Sequence, residues 1–257
     1  MTFTGLCDNC QYMRFTRIYV AQKLAKAELV ELPPDAAAHL VKVLRAHEGD
    51  ELVLFNGDGR EFRATIEKAR GTRVSVAVSD CVEIDRESPL SITLIQCVPR
   101  GDRMDFVVQK ATELGASRIV PVLSQRSVVR LDSAQADTKL AHWRAVAVSA
   151  CEQCGRNRLP HIEAPRQLIH YLGEPAACAS RWVCEPDSPS VVPAEVAAAA
   201  VEIAVGPEGG FMQEELEAFR VSGFLRVRLG PRVLRAETAA IVAITWLQSR
   251  FGDMAYP

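Results

Sequence analysis

The chain has 257 residues, 48% of them hydrophobic, and a formal net charge of −2. That is enough apolar material for one large domain or two small ones, and the near-neutral charge excludes a polycation that binds nucleic acid over its whole surface. No apolar run approaches the roughly 20 residues needed to span a bilayer, and the N-terminal stretch lacks the continuous apolar core of a secretory signal, so a cytoplasmic location is expected. The eight cysteines are scattered without the framework of a small disulfide-built domain and are read as reduced thiols.

In chain order, residues 1–12 fit nothing that follows and are read as an extension or a misassigned start. Met13 opens a run, Met13-Arg14-Phe15-Thr16-Arg17-Ile18-Tyr19-Val20, that reads as a natural beginning. Asp35 is expected to cap a helix whose apolar residues Leu40, Val43 and Leu44 share a face, with Gly49 ending it. Short alternating or β-branched strands are expected at 51–55, 61–67 and 73–79, separated by Asn56-Gly57-Asp58-Gly59 and Gly71-Thr72 turns. These elements make a β-rich module that closes near residue 88.

After Pro89 strands and helices alternate, which predicts a parallel sheet covered by helices over 89–257. Strands are expected at 91–98, 118–123, 179–184, 202–205 and 226–229. Helices are expected at 103–114, 136–153, 213–222 and 239–251, with a shorter one at 194–200. Two glycine- and proline-rich turns stand out, Gly206-Pro207-Glu208-Gly209-Gly210 and Leu229-Gly230-Pro231-Arg232-Val233-Leu234-Arg235-Ala236-Glu237-Thr238, each directly after a strand. Glycine brings main-chain groups close to a ligand, and proline fixes the loop that presents them. In open α/β sheets ligands sit beyond the carboxyl ends of strands, where both turns and Glu185 fall. A pocket of backbone groups with leucine and valine walls suits an adenosine-like ligand.

Other chemistries are disfavoured by what is missing. No Gly-x-Gly-x-x-Gly follows a first strand and no phosphate loop ends in Gly-Lys-Ser/Thr, so NAD and ATP have little support. Cys7-x-x-Cys10 and Cys151-x-x-Cys154 are far apart in sequence and no histidine completes either pair, so no metal is expected. No histidine stands in a nucleophile constellation. Arg126, Arg156, Arg232 and Arg235, placed in connecting loops, suit phosphate or a developing anion, and residues 100–166 carry a local net charge of +4.

Several motifs together resemble the RsmE-type ribosomal RNA uridine N3-methyltransferases of the SPOUT superfamily. They are Arg14-x-x-Arg17-Ile18-Tyr19, Arg86-Glu87-Ser88-Pro89-Leu90, Gln109-Lys110-x-x-Glu113-Leu114-Gly115, Cys151-Glu152-Gln153-Cys154-Gly155-Arg156 and the two glycine turns. The resemblance implies a PUA-like RNA-binding β-barrel over 13–88 and, over 89–257, an α/β methyltransferase domain with a trefoil knot. It implies a homodimer that binds S-adenosylmethionine and methylates N3 of one uridine in the decoding region of 16S rRNA in the small ribosomal subunit. Carried over by motif, the cofactor contacts are Glu185, Gly206, Gly210, Leu229, Gly230, Val233, Leu234, Glu237 and Thr238. Arg126 and Arg235 are candidates to stabilise the uracil anion, and Glu208 or Glu237 to accept its proton. Arg14, Arg17, Arg45, Arg156 and Arg158 are expected phosphate contacts. A ribose 2′-O-methyltransferase on the same fold and a non-catalytic ribosome-assembly factor are the competing expectations.

Overall fold

The computed structural model of the chain describes residues 15–71, 73–189 and 199–254. The expected extension at 1–12, Arg14 and residues 194–198 of the expected short helix lie outside them. The chain divides into two compact units, one of residues 1–87 with 151–159, the other of residues 88–150 with 160–257.

The first unit holds β1 (Thr16–Tyr19), β2 (Leu29–Glu31), α1 (Pro34–Lys42), β3 (Glu51–Phe55), β4 (Arg60–Arg70) and β5 (Arg73–Glu83), with the strands in the order β1-β3-β4-β5-β2. Along β5, Val74, Val76 and Val78 alternate inward and meet Leu52, Leu54 and Phe62 from neighbouring strands and Leu40 from α1. Register shifts after Arg63 and Ile66 mark irregularities of the kind that let a long strand pair twist and curl. The helix differs from expectation at both ends. It begins at Pro34, because proline at a first helical position already has the helical φ, and this puts Asp35 inside the first turn. It ends seven residues before Gly49, and Arg45 carries the chain away with φ of 53°.

Residues 151–159 pack into this unit through buried charge. Glu61, only 2% exposed, accepts from Arg17 and, at 2.5 Å, from Arg86. Arg17 also donates to Asn157 Oδ1 at 2.6 Å and to the Arg156 carbonyl at 3.3 Å. Arg156 pairs with Glu87 through Nη2 at 2.5 Å and Nε at 3.1 Å. Two expected phosphate contacts, Arg17 and Arg156, are therefore corrected: both guanidinium groups lie inside the unit and are engaged by carboxylates, so neither is presented to a polyanion. Burial opposes ionisation of Glu61, but hydrogen bonds and charge from Arg86 and Arg17 outweigh it and hold the carboxyl below its ordinary range.

The second unit is built on a parallel sheet of β6 (Ser91–Cys97), β7 (Arg118–Leu123), β8 (His161–Ile162), β9 (Arg166–Gln167), β10 (Ser180–Cys184), β11 (Ala200–Val205) and β12 (Leu225–Val227). The strand order is β12-β10-β11-β6-β7-β8, with β9 also on β7. Side chains of each strand alternate between two cores. Ile92 and Leu94 of β6 join Ile119 and Ile203 on one face, whereas Ile95 and Cys97 join Val120 and Ala204 on the other. Because both faces are covered, the strands read as continuous apolar runs, which is why the sequence exposed them.

The first face is covered by α2 (Arg103–Glu113), α3 (Ser133–Cys154) and α6 (Ala236–Phe251), the second by α4 (Leu168–Leu172) and α5 (Gln213–Val221). The final helix presents Ala240, Ala243, Ile244 and Leu247 at helical spacing to the sheet. Its buried Gln248 donates to the Leu114 carbonyl at 2.8 Å and accepts from Ser88 at 2.7 Å, which fixes its end. The helix starts at Ala236, three residues earlier than expected, so Glu237 and Thr238 belong to its first turn.

Replacing Glu61 with alanine leaves Arg17 and Arg86 without their shared carboxylate. The variant should lose about 3–5 kcal/mol of stability at neutral pH in urea unfolding. Because the folded-state carboxyl is held low, its contribution is present above the unfolded value and is lost as pH falls, so the gap between variant and parent should shrink toward acid pH.

Candidate active site

The register of the second sheet brings three turns together. β10 lies between β12 and β11, with Cys184 opposite Val227 and Val183 opposite Ala204, so these three strands end at nearly the same level. The segments that follow, 185–187, 206–211 and 228–234, contribute the walls of one cavity of about 360 Å³, a size suited to a small-molecule cofactor. Parallel strands force this arrangement, since every strand then delivers its following loop to the same edge.

The turn after β10 is tied down by its main chain. Glu185 N donates to the Val227 carbonyl at 2.9 Å, and Ser188 N donates to the Glu185 carbonyl at 3.2 Å. Glu185 Oε2 lies 3.3 Å from Arg226 Nε. In the turn after β11, Gly210 N donates to the Pro207 carbonyl at 2.9 Å. A Cβ on Gly206 would stand 3.1 Å from the Phe211 ring, so glycine lets the aromatic side chain fold under the turn. Arg126, from the loop after β7, donates to the Gly209 carbonyl at 2.8 Å and forms part of the wall.

The turn after β12 is different. Among the described residues, no hydrogen bond engages the main chain of residues 230–233, although Gly230 and its neighbour Leu229 are half-buried in the cavity wall. Its N–H and C=O groups are available to a ligand. Gly230 holds φ of +125°, a conformation that a side chain would strain. Apolar walls come from Val205, Leu216, Leu229 and Leu234. Free main-chain groups beside apolar walls, with the carboxylate of Glu185 at the cavity wall, fit the purine, sugar and cationic sulfur of S-adenosylmethionine.

Of the residues expected to touch a cofactor, Glu185, Gly206, Gly210, Leu229, Gly230, Val233 and Leu234 line the cavity. Glu237 and Thr238 do not; they sit in the first turn of α6, where Thr238 is exposed. Of the expected catalytic residues, Arg126 and Glu208 line it, and Arg235 stands exposed as the N-cap of α6. Glu208 is not a free carboxylate, because its Oε1 accepts from Arg103 at 2.7 Å and faces Arg100 N at 3.4 Å. Arg103 also lies 3.9 Å from Glu237 Oε1, whereas Glu237 Oε2 is buried with no hydrogen-bond partner among the described residues. Arg232 joins the wall, but Arg156, expected nearby, belongs to the first unit. Arg45 and Arg158 are exposed. Arg103 and Phe211 were not anticipated; the same strand-end rule would have found Arg103, which opens the helix after β6.

Cys151 is not poised as a thiolate: the hydrogen bond from Cys154 and burial both push its thiol up. Burial alone pushes Cys184, in the cavity wall, up to about 12. Among the described residues no group of three or more His, Cys, Asp or Glu could hold a metal ion, and no helix is long and apolar enough to cross a membrane.

A covered parallel sheet with a main-chain cleft at its carboxyl edge defines the class: residues 86–248 match the RNA methyltransferase domain family, and residues 32–79 match the RNA methyltransferase PUA domain family. Ribosomal RNA small subunit methyltransferase E of Buchnera aphidicola is 31% identical over 245 residues, covering 94% of this chain and 99% of that one. The Bacillus subtilis protein of the same name is 29% identical over 235 residues, covering 87% and 91%. The chain belongs to this methyltransferase E family. Among solved structures, ribosomal RNA small subunit methyltransferase E from Neisseria gonorrhoeae, bound to S-adenosylmethionine, is 34% identical with a TM-score of 0.87, covering 94% of this chain and 100% of that one. A Legionella pneumophila methyltransferase in complex with the same cofactor is 40% identical with a TM-score of 0.89, covering 93% and 99%. The fold is thus the expected α/β class, with a PUA-like module followed by a SPOUT methyltransferase domain.

Replacing Gly230 with valine should strain the turn and crowd the cavity mouth. Calorimetric titration with S-adenosylmethionine should show affinity reduced about 5- to 150-fold, as expected of one to three kcal/mol of local strain (~10-fold per 1.4 kcal/mol). An unchanged titration would remove this turn from the cofactor site.

Proposed function

We propose that this chain transfers the methyl group of S-adenosylmethionine to N3 of one uridine in the decoding region of 16S rRNA. It acts in the cytoplasm on the small ribosomal subunit, as a homodimer, with residues 13–88 as its RNA-binding domain and 89–257 as its methyltransferase domain. The observation that carries this reading is the cavity beyond β10, β11 and β12, where the main chain of 230–233 is unengaged between apolar walls.

When bound, the cofactor supplies a methyl group on a positively charged sulfur, already electrophilic. Gly206, Gly210, Leu229, Gly230, Val233 and Leu234 would hold it, with Glu185 offering a carboxylate from the wall. Glu237 and Thr238 open α6 directly after the turn, and Glu237 lies 3.9 Å from Arg103. What remains for the protein is to align uracil N3 and help it lose its proton. Arg126, braced on Gly209, can donate to uracil O2 or O4 and so stabilise the imide anion. The second oxygen of Glu208, or Glu237, can take the proton; the bond from Arg103 fixes the orientation of Glu208. Arg235 at the helix cap and Arg45 and Arg158 on the first unit are exposed, which supports a role for them as phosphate contacts.

Methyl transfer to purified small subunits, followed by nucleoside mass spectrometry, tests the reading. A single methyl on the uracil base is expected; a methyl on ribose, or none, would contradict it. Arg126→Ala should lower kcat by about 10²–10³, as for loss of one anion-stabilising donor, with a much smaller change in cofactor affinity from the loss of its bond to Gly209.

A further inference from the structure

A second cavity of about 380 Å³ opens on the same unit, between the loop after β7, the start of α4 and the start of α5. The loop of residues 124–130 separates it from the cofactor cavity. Arg126 of this loop lines the first cavity, whereas Gln125 and Arg130 line the second. On α5 the same division falls between adjacent residues, with Leu216 in the first wall and Glu215 in the second.

This partition is firmly built. The buried hydroxyls of Ser124 and Ser127 lie 3.0 Å apart, and Ser124 N donates to Ser127 Oγ at 2.9 Å. Glu215 accepts from Gln125 N and from Met212 N, each at 2.8 Å, which locks the loop to the first turn of α5. Glu215 is thereby saturated by main-chain donors. Three other polar side chains of the cavity are not. Among the described residues, the side chains of Gln125, Arg130 and Gln167 make no hydrogen bond or ion pair. Beneath them lie Leu168 and Leu172, buried at 2% and 6%, and beside them Ile169 is 62% exposed.

An exposed apolar side chain, Ile169, two amides and an unpaired guanidinium can together hold one unstacked nucleotide: a base packs on the isoleucine and meets the amides, and a phosphate meets the arginine. On the functional reading above, on which this inference rests, the target uracil approaches from the side of Arg126. An RNA strand that continued from there over the 124–130 loop would reach the second cavity, since Arg126 lines one side of the loop and Gln125 and Arg130 line the other. We propose that the second cavity binds the nucleotide flanking the target uridine, with its phosphate on Arg130 and its base over Ile169. Glu214, the exposed carboxylate on the cavity's rim, can accept from an N–H of the base at that place.

Arg130 and Ile169 are both exposed, so the double variant Arg130→Ala with Ile169→Ala should fold as the parent does. Its binding to purified small subunits should weaken about tenfold or more, from loss of one stacked base and one phosphate contact. The salt dependence of binding should flatten, and calorimetric titration with S-adenosylmethionine should match the parent. Unchanged subunit affinity and salt dependence would overturn the proposal, as would loss of cofactor binding, which would make the cavity part of the first site. Methyl transfer by the parent protein on the same subunits scores the functional reading separately, because the ratio of affinities is read without turnover.

Discussion

The parallel pairing of β10 with both β11 and β12 is the constraint on which the rest depends. Antiparallel neighbours would send alternate loops to opposite edges of the sheet; parallel ones deliver all three to one edge. The sheet can be wholly parallel because both faces are covered, by α2, α3 and α6 on one side and α4 and α5 on the other. Burial of the strands and assembly of the cleft are therefore one event.

The division of labour within the cleft follows from what its main chain is already doing. The 185–188 and 206–210 turns satisfy part of their own hydrogen bonding and act as walls of fixed shape. The turn after β12 leaves residues 230–233 unengaged, and Gly230 gives it a backbone conformation that other residues resist. Charge is arranged just outside. Arg103 connects Glu208 on one turn with Glu237 under the other, so the two glycine turns share a basic brace that neither sequence motif contains.

Much of this was legible from residue order. The apolar runs of β6, β7, β10 and β11 were visible because both their faces are buried, and the two glycine turns stood out by composition. Legibility failed where the determining partner is distant in sequence. The strands β8 and β9, two residues each, exist because β7 offers an edge to pair with. Arg17 and Arg156 looked like surface cations because nothing local reveals Glu61 or Glu87 opposite them. Helix α1 was misplaced because proline at its first position outranked the aspartate cap. The family resemblance added what periodicity cannot supply, the PUA-like character of the first module and the identity of the cofactor.

The most direct test of this account is a crystal structure of the protein with S-adenosylmethionine. The account predicts the adenosine moiety between the 206–210 and 229–234 turns, with its ring edge hydrogen-bonded to main-chain groups of the latter and its sulfur facing the Arg126 side. A cofactor bound elsewhere, or held in the cleft with the 230–233 main chain still unengaged, would contradict it.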